Sequence, residues 1–152
     1  LSALLDHAMR MLSPQLRMVV TIEIDDSVAR VGNVVAAREL LQQVVCLLVN
    51  NSATAIQNTN GQQGSLRITA MPEANEDHDC IHLRFDDSRP TPSTEQMARM
   101  FSADANHETR TDGLSLPWAS SVVTAMHGHL YASVSQPFGG MVTHLVLPRA
   151  KD

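Results

Sequence analysis

The sequence has only two cysteines in 152 residues, Cys46 and Cys80, far apart along the chain. They are too few for a disulfide framework or a cysteine-based metal site, and two buried thiols are the expectation. No cluster of lysine or arginine occurs, and 11 basic residues stand against 16 acidic ones for a net charge of -5. Nucleic-acid binding needs a patch that neutralises phosphates, so that class of partner is disfavoured. The longest apolar run, Val44 to Val49, falls far short of the roughly 20 residues that cross a bilayer, and there is no signal peptide. Direct membrane contact is therefore not expected, and a cytoplasmic location is. The sequence holds no HExxH or paired Cys/His spacing, no internal repeat and no low-complexity segment. Its seven histidines are scattered, and surface or boundary positions are expected for all of them. The first residue is Leu1 rather than Met, which suggests a piece of a longer protein.

What is present is the balance of one soluble domain spanning 1–152. Hydrophobic residues make up 43% and charged residues 18%, enough apolar material for a single core. Leu1, Leu4, Leu5, Ala8, Met9 and Leu12 recur at a helical period, which Ser13-Pro14 ends. Arg17 to Asp25 alternates and predicts a strand. The strongest helix is predicted over Ala36 to Gln57, with Leu40, Leu41, Val44, Val45, Leu48, Ala55 and Ile56 in its apolar stripe.

Leu66, Ile68 and Ala70 predict a second strand, a Pro- and acid-rich turn covers Pro72 to Asp79, and Ile81 to Phe85 predict a third. Ser93 or Thr94 caps a short helix reaching Met100, and Phe101 to Asp112 is polar and long enough for a flap. A further helix runs from about Pro117 to Met126. Leu130 to Ser135 and Met141 to Leu147 then form a hairpin around Pro137-Phe138-Gly139-Gly140. Long helices grouped with hairpin-paired strands imply an α+β two-layer domain, one sheet with its helices on one face.

The order of these segments carries a resemblance. Glu39 to Ala55, with Asn50-Asn51 near its end, resembles the N box of the histidine-kinase, gyrase, Hsp90 and MutL ATPase superfamily. Leu83-Arg84-Phe85-Asp86-Asp87-Ser88-Arg89-Pro90 resembles the strand and turn of the first glycine box, and Glu95 to Phe101 the helix ending in the F box. Asp112-Gly113-Leu114-Ser115-Leu116 stands where the second glycine box belongs. Val122 to Leu130, containing His127-Gly128, and Gly139-Gly140 to Pro148 resemble the closing helix and hairpin of bacterial sensor histidine kinases. The resemblance covers nearly the whole chain and implies the superfamily's two-layer α/β sandwich, the Bergerat fold, with a mixed sheet.

It also implies a site for ATP and Mg²⁺. Asn51 stands at the position of the Mg²⁺-coordinating asparagine, while Leu47, one helical turn earlier, replaces a usual polar residue. Asp87 stands where a carboxylate accepts the adenine amino group, with Asp86 out of phase beside it. Gly113 and Leu114 fall in the phosphate-facing box. The glycine positions after the aspartate are Arg89 and Thr91, and Thr111 and Ser115 flank Gly113 where glycines are usual. Glycine there lets the backbone approach the nucleotide, so its loss weakens the site, and Arg89 either blocks the adenine pocket or folds outward.

The implied function is the catalytic domain of a two-component sensor kinase. Its partners would be the dimerisation and phospho-acceptor helices of the same protein and a response regulator. The alternative is a pseudo-ATPase that docks a response regulator or a partner kinase without binding ATP. An anti-sigma or gyrase-like relative fits the closing hairpin less well.

Overall fold

The computed structural model describes residues 1–59, 63–74, 78–102, 115–135 and 139–151. Its elements run α1 (Ser2–Met11), α2 (Pro14–Val19), β1 (Val20–Ile24), α3 (Ser27–Arg30), α4 (Arg38–Gln57), β2 (Gly64–Ala74), β3 (Asp79–Asp87), α5 (Thr94–Arg99), α6 (Leu116–Ala125), β4 (His129–Val134) and β5 (Met141–Pro148). The strands form one mixed sheet in the order β1-β2-β3-β5-β4. β1 lies parallel to β2, and every other pair is antiparallel.

Strand alternation decides which side is core. Leu66 and Ile68 on β2, Ile81, Leu83 and Phe85 on β3, and Leu145 and Leu147 on β5 are all buried under the helices. Helix α4 supplies Leu41, Val44, Val45, Leu48 and Ile56 to that layer, with α1 and α6 packed beside it. Helices therefore cover one face, as the pattern of elements implies. No helix among the described residues is long and apolar enough to cross a membrane.

Three sequence expectations are corrected in detail. The strand expected from Arg17 begins only at Val20, because the Ser13 hydroxyl caps a short helix whose first residue is Pro14. Leu40, expected in the core stripe of α4, is 41% exposed, since Leu41 and Val44 already set the buried direction of that turn. The turn expected over Pro72 to Asp79 is mostly strand: β2 runs to Ala74 with Pro72 opposite Ile81. Proline is tolerated there because β1 ends at the level of Ile68 and leaves that edge of β2 unpaired. Ala70, two residues earlier, sends its N–H outward to the Ser27 hydroxyl, so the nitrogen of Pro72 also faces away from the ladder.

The end of α6 fixes where the last hairpin starts. His127 takes a left-handed conformation with φ 60°, and the Gly128 N–H returns to Val123 O at 2.9 Å. A Cβ on Gly128 would lie 2.4 Å from Val146 O, so only glycine lets the chain pass β5 this closely. The histidine expectation needs correction too. His144 is buried on the sheet face opposite the helices, and His82 is half-buried beside it.

Candidate functional site

Asp87 is the last residue of β3, and its register partners are Leu66 on β2 and Met141 on β5. That phase points it to the helix-covered side with Phe85, and its exposure is 0%. Asp86, one residue out of phase, turns to the other side. There it accepts from the Ser135 hydroxyl at 3.1 Å and pairs with Arg84 at 3.4 Å. Of the two candidate carboxylates, only Asp87 faces the helix layer.

A carboxylate buried in this way needs partners, because an unpaired buried charge is costly. Arg89 provides them. Its Nε lies 2.8 Å from Oδ1 and 3.0 Å from Oδ2 of Asp87, and its Nη2 lies 2.7 Å from Oδ2. The Arg89 backbone N–H also donates to Oδ1 at 3.2 Å. Arg89 itself is 7% exposed, so the guanidinium is folded inward. A two-residue spacing beyond a strand end returns the side chain to the same side, and the planar fork matches both carboxylate oxygens. Of the two orientations open to Arg89 in the sequence, the inward one is found.

The turn that follows is tied down by side chains where backbone freedom was expected. Ser88 N–H donates to Ser65 O at 3.0 Å, and the Ser88 hydroxyl accepts from Ser65 N–H at 2.9 Å. Thr91 donates its hydroxyl to the Gly139 carbonyl in the loop between β4 and β5. Gly140 presses on the same strand end: a Cβ there would sit 1.9 Å from Asp87 O. That glycine keeps the two chains in backbone contact, and no other residue fits.

Asn51 lies half-buried on α4, the helix that packs on β2 and β3, and Leu47 one turn earlier is buried. Helix α5 begins with a capping box of Ser93 and Gln96 and ends beside Phe101, which packs on the core. Gly113 and Leu114, with the flap expected over Phe101 to Asp112, lie outside the described residues from position 103 onward. Among the described residues no group of histidine, cysteine, aspartate and glutamate could hold a metal ion. Asp87 and Arg89 were legible singly in the sequence, but their pairing was not. Its only signal is an Asp-x-Arg spacing at a strand end, which is common in solvated turns.

In chemical terms, the Asp87 carboxylate is already saturated. Both oxygens receive charge-assisted bonds from within the chain, and an incoming neutral N–H must displace or share with a cation.

The histidine kinase-, DNA gyrase B-, and HSP90-like ATPase family matches residues 36–151. Among solved structures, the fold is similar to the mycobacterial sensor histidine kinase MprB, with a TM-score of 0.73 at 16% identity over 99% of this chain and 95% of that one. Full-length ShkA in complex with AMPPNP gives a TM-score of 0.71 at 22% identity, over 99% of this chain and 30% of that one. Histidine kinase ThkA in complex with the response regulator TrrA gives 0.70 at 19% identity, over 99% and 40%. No curated protein matches the sequence.

Proposed function

This chain belongs to the histidine kinase-, DNA gyrase B-, and HSP90-like ATPase family, and on that footing we propose that it is the nucleotide-binding domain of a cytoplasmic two-component sensor kinase whose adenine site is closed by its own Arg89. One observation carries the reading: the guanidinium fork of Arg89 on the buried Asp87 carboxylate. In an intact kinase, bound Mg·ATP would supply the γ-phosphoryl group for a histidine on the acceptor helices, and a response regulator would receive it. The likeness to MprB, ThkA and ShkA supports this setting.

The two ends of the nucleotide fit unequally. Asn51 offers a carboxamide oxygen suited to Mg²⁺, a hard cation that keeps most of its waters and needs few protein ligands. Leu47, buried one turn earlier, offers none. Gly113 and Leu114 would face the phosphates, as the resemblance implies. The adenine end does not fit while Arg89 holds Asp87. The same pair favours a second reading, in which the fold serves as a docking module for a response regulator or partner kinase and needs no nucleotide.

Calorimetric titration with Mg·ATP decides between them. The kinase reading expects a dissociation constant of about 0.1 mM or weaker, near −5.5 kcal/mol. No measurable heat at millimolar nucleotide, with the domain still folded, would favour the docking module. Low-micromolar affinity would sink the idea that Arg89 closes the site.

A further inference from the structure

The sheet face away from the helices carries a row of side chains that the nucleotide site does not use. Glu73 Oε2 on β2 lies 3.0 Å from His82 Nδ1 on β3. His82 Nε2 lies 2.8 Å from His144 Nδ1 on β5, and His144 Nε2 lies 2.7 Å from the Ser133 hydroxyl on the edge strand β4. The strand register places them on one face: His144 stands opposite Arg84 and Tyr131, while Ser133 stands opposite Val142. Tyr131 stacks on the His144 ring at 4.4 Å with 9° between planes and holds it in the row.

Each contact needs one donor and one acceptor, so the protons along the row are coupled. With Glu73 ionised and both rings neutral, one arrangement satisfies every contact. Ser133 donates to His144 Nε2, His144 Nδ1–H donates to His82 Nε2, and His82 Nδ1–H donates to Glu73. Add one proton to His82 and its Nε2 becomes a donor. His144 must then present a bare Nδ1, so its proton sits on Nε2 and is given to Ser133. The Ser133 hydroxyl hydrogen has to turn away.

The surroundings decide where that proton goes. Glu73 touches His82 and favours its charged form, against the burial that lowers its pKa. Among the described residues His144 has no carboxylate partner. Burial, with His82 and the Arg84 cation beside it, lowers its pKa to about 4. Among the described residues, the other titratable or charged groups on this face are Cys80, Arg84 and Asp86 on β3, Arg67 on β2, Glu23 on β1, and His129 and Tyr131 on β4. Asp86 is engaged by Ser135 and Arg84, and Arg67 by Glu23 and Asp25, so among the described residues Glu73 is the carboxylate in contact with the row. A cleft of ≈ 530 Å³, lined by Glu73, His129, Tyr131 and Val146 among others, brings solvent to the Glu73 end.

We propose that Glu73, His82, His144 and Ser133 form a proton-driven relay: uptake of one proton at His82 reverses the hydrogen bonds along the row and turns the Ser133 hydroxyl of edge strand β4 from an inward into an outward donor. The element is a pH sensor that reports across β3, β5 and β4, and it is independent of nucleotide.

Histidine ring ¹⁵N NMR of the intact chain between pH 8 and 4 tests it. At pH 8 both rings are expected neutral with their protons on Nδ1. On acidification His82 becomes the imidazolium while His144 stays neutral and moves its proton to Nε2 with the same midpoint. Glu73→Gln should move that midpoint down by about one pH unit or more, the effect of removing an adjacent opposite charge. A His144 proton on Nε2 at pH 8, His144 charging first, or separate midpoints would each overturn the relay. Unfolding before His82 titrates would overturn it too, because the row would break rather than reverse. The wild-type titration suffices if Glu73→Gln does not fold.

Discussion

Arg89 reaches back two residues and grips both carboxylate oxygens of Asp87, at 2.7 to 3.0 Å, in a site where neither residue is more than 7% exposed. The pair holds a buried carboxylate, and in the function proposed above it also competes with adenine; the two roles can be separated by mutation.

As a stability element, the pair should behave as a coupled unit. Removing one partner strands a buried charge, a change that costs about 3–5 kcal/mol. Arg89→Leu and Asp87→Asn are each expected to lower the unfolding free energy measured in urea by an amount of that order. The double variant should lose clearly less than the sum of the two. Additive losses in a double-mutant cycle would show that the two side chains do not depend on each other.

As a competitor, Arg89 should weaken nucleotide binding. Arg89→Gly frees the Asp87 carboxylate and raises affinity for Mg·ATP, although the added backbone freedom costs roughly 0.5–1 kcal/mol. Calorimetry on a variant still folded by circular dichroism should therefore show tighter binding than wild type. Adding Thr91→Gly also removes the hydroxyl bond to Gly139, so the double variant tests how much of the closure is that tether. Asn51→Ala in the opened variant should abolish the Mg²⁺-dependent part alone. Unchanged or poorer binding in Arg89→Gly would count against the closure.

The core makes a simpler prediction. Leu48 on α4 is 1% exposed, and Leu48→Ala should cost about 2–5 kcal/mol through lost burial and the cavity left behind. Leu40, on the same helix at 41% exposure, should lose far less on the same change. Equal losses in chemical denaturation would mean that the buried face of α4 is misassigned.

His144 gives the fold an acid limit. Its pKa is lowered to about 4 by burial and the neighbouring His82 and Arg84, against an ordinary 6.5 in the unfolded chain. Between these values the unfolded state binds the proton and the folded state does not. The contribution is therefore complete above pH 6.5 and is lost as pH falls towards 4. Unfolding midpoints measured from pH 7.5 to 4.5 should decline across that window in wild type, and less steeply in His144→Gln. A slope that the substitution does not change would exclude His144 as its source.

The sequence by itself determined the fold class and the order of the strands and long helices, though not the short helices α2 and α3. Periodicity is local: Val44, Val45 and Leu48 recur at helical spacing, and Leu66, Ile68 and Ala70 alternate, whatever they pack against. It also placed Asn51 and Asp87 at positions of the ATPase pattern, because motif spacing is a property of the chain. Only the tertiary structure decided the rest. Pro72 extends a strand because β1 stops short and leaves an edge for its missing donor. Arg89 turns inward because Asp87 is sealed between Leu66, Met141 and the helix layer, where an unpaired carboxylate is costly. Glu73, His82, His144 and Ser133 lie up to 71 positions apart in sequence, and become one row only through the β2-β3-β5-β4 order and a register that aligns their phase. Strand order and register arise from long-range pairing, which no local pattern in the sequence records.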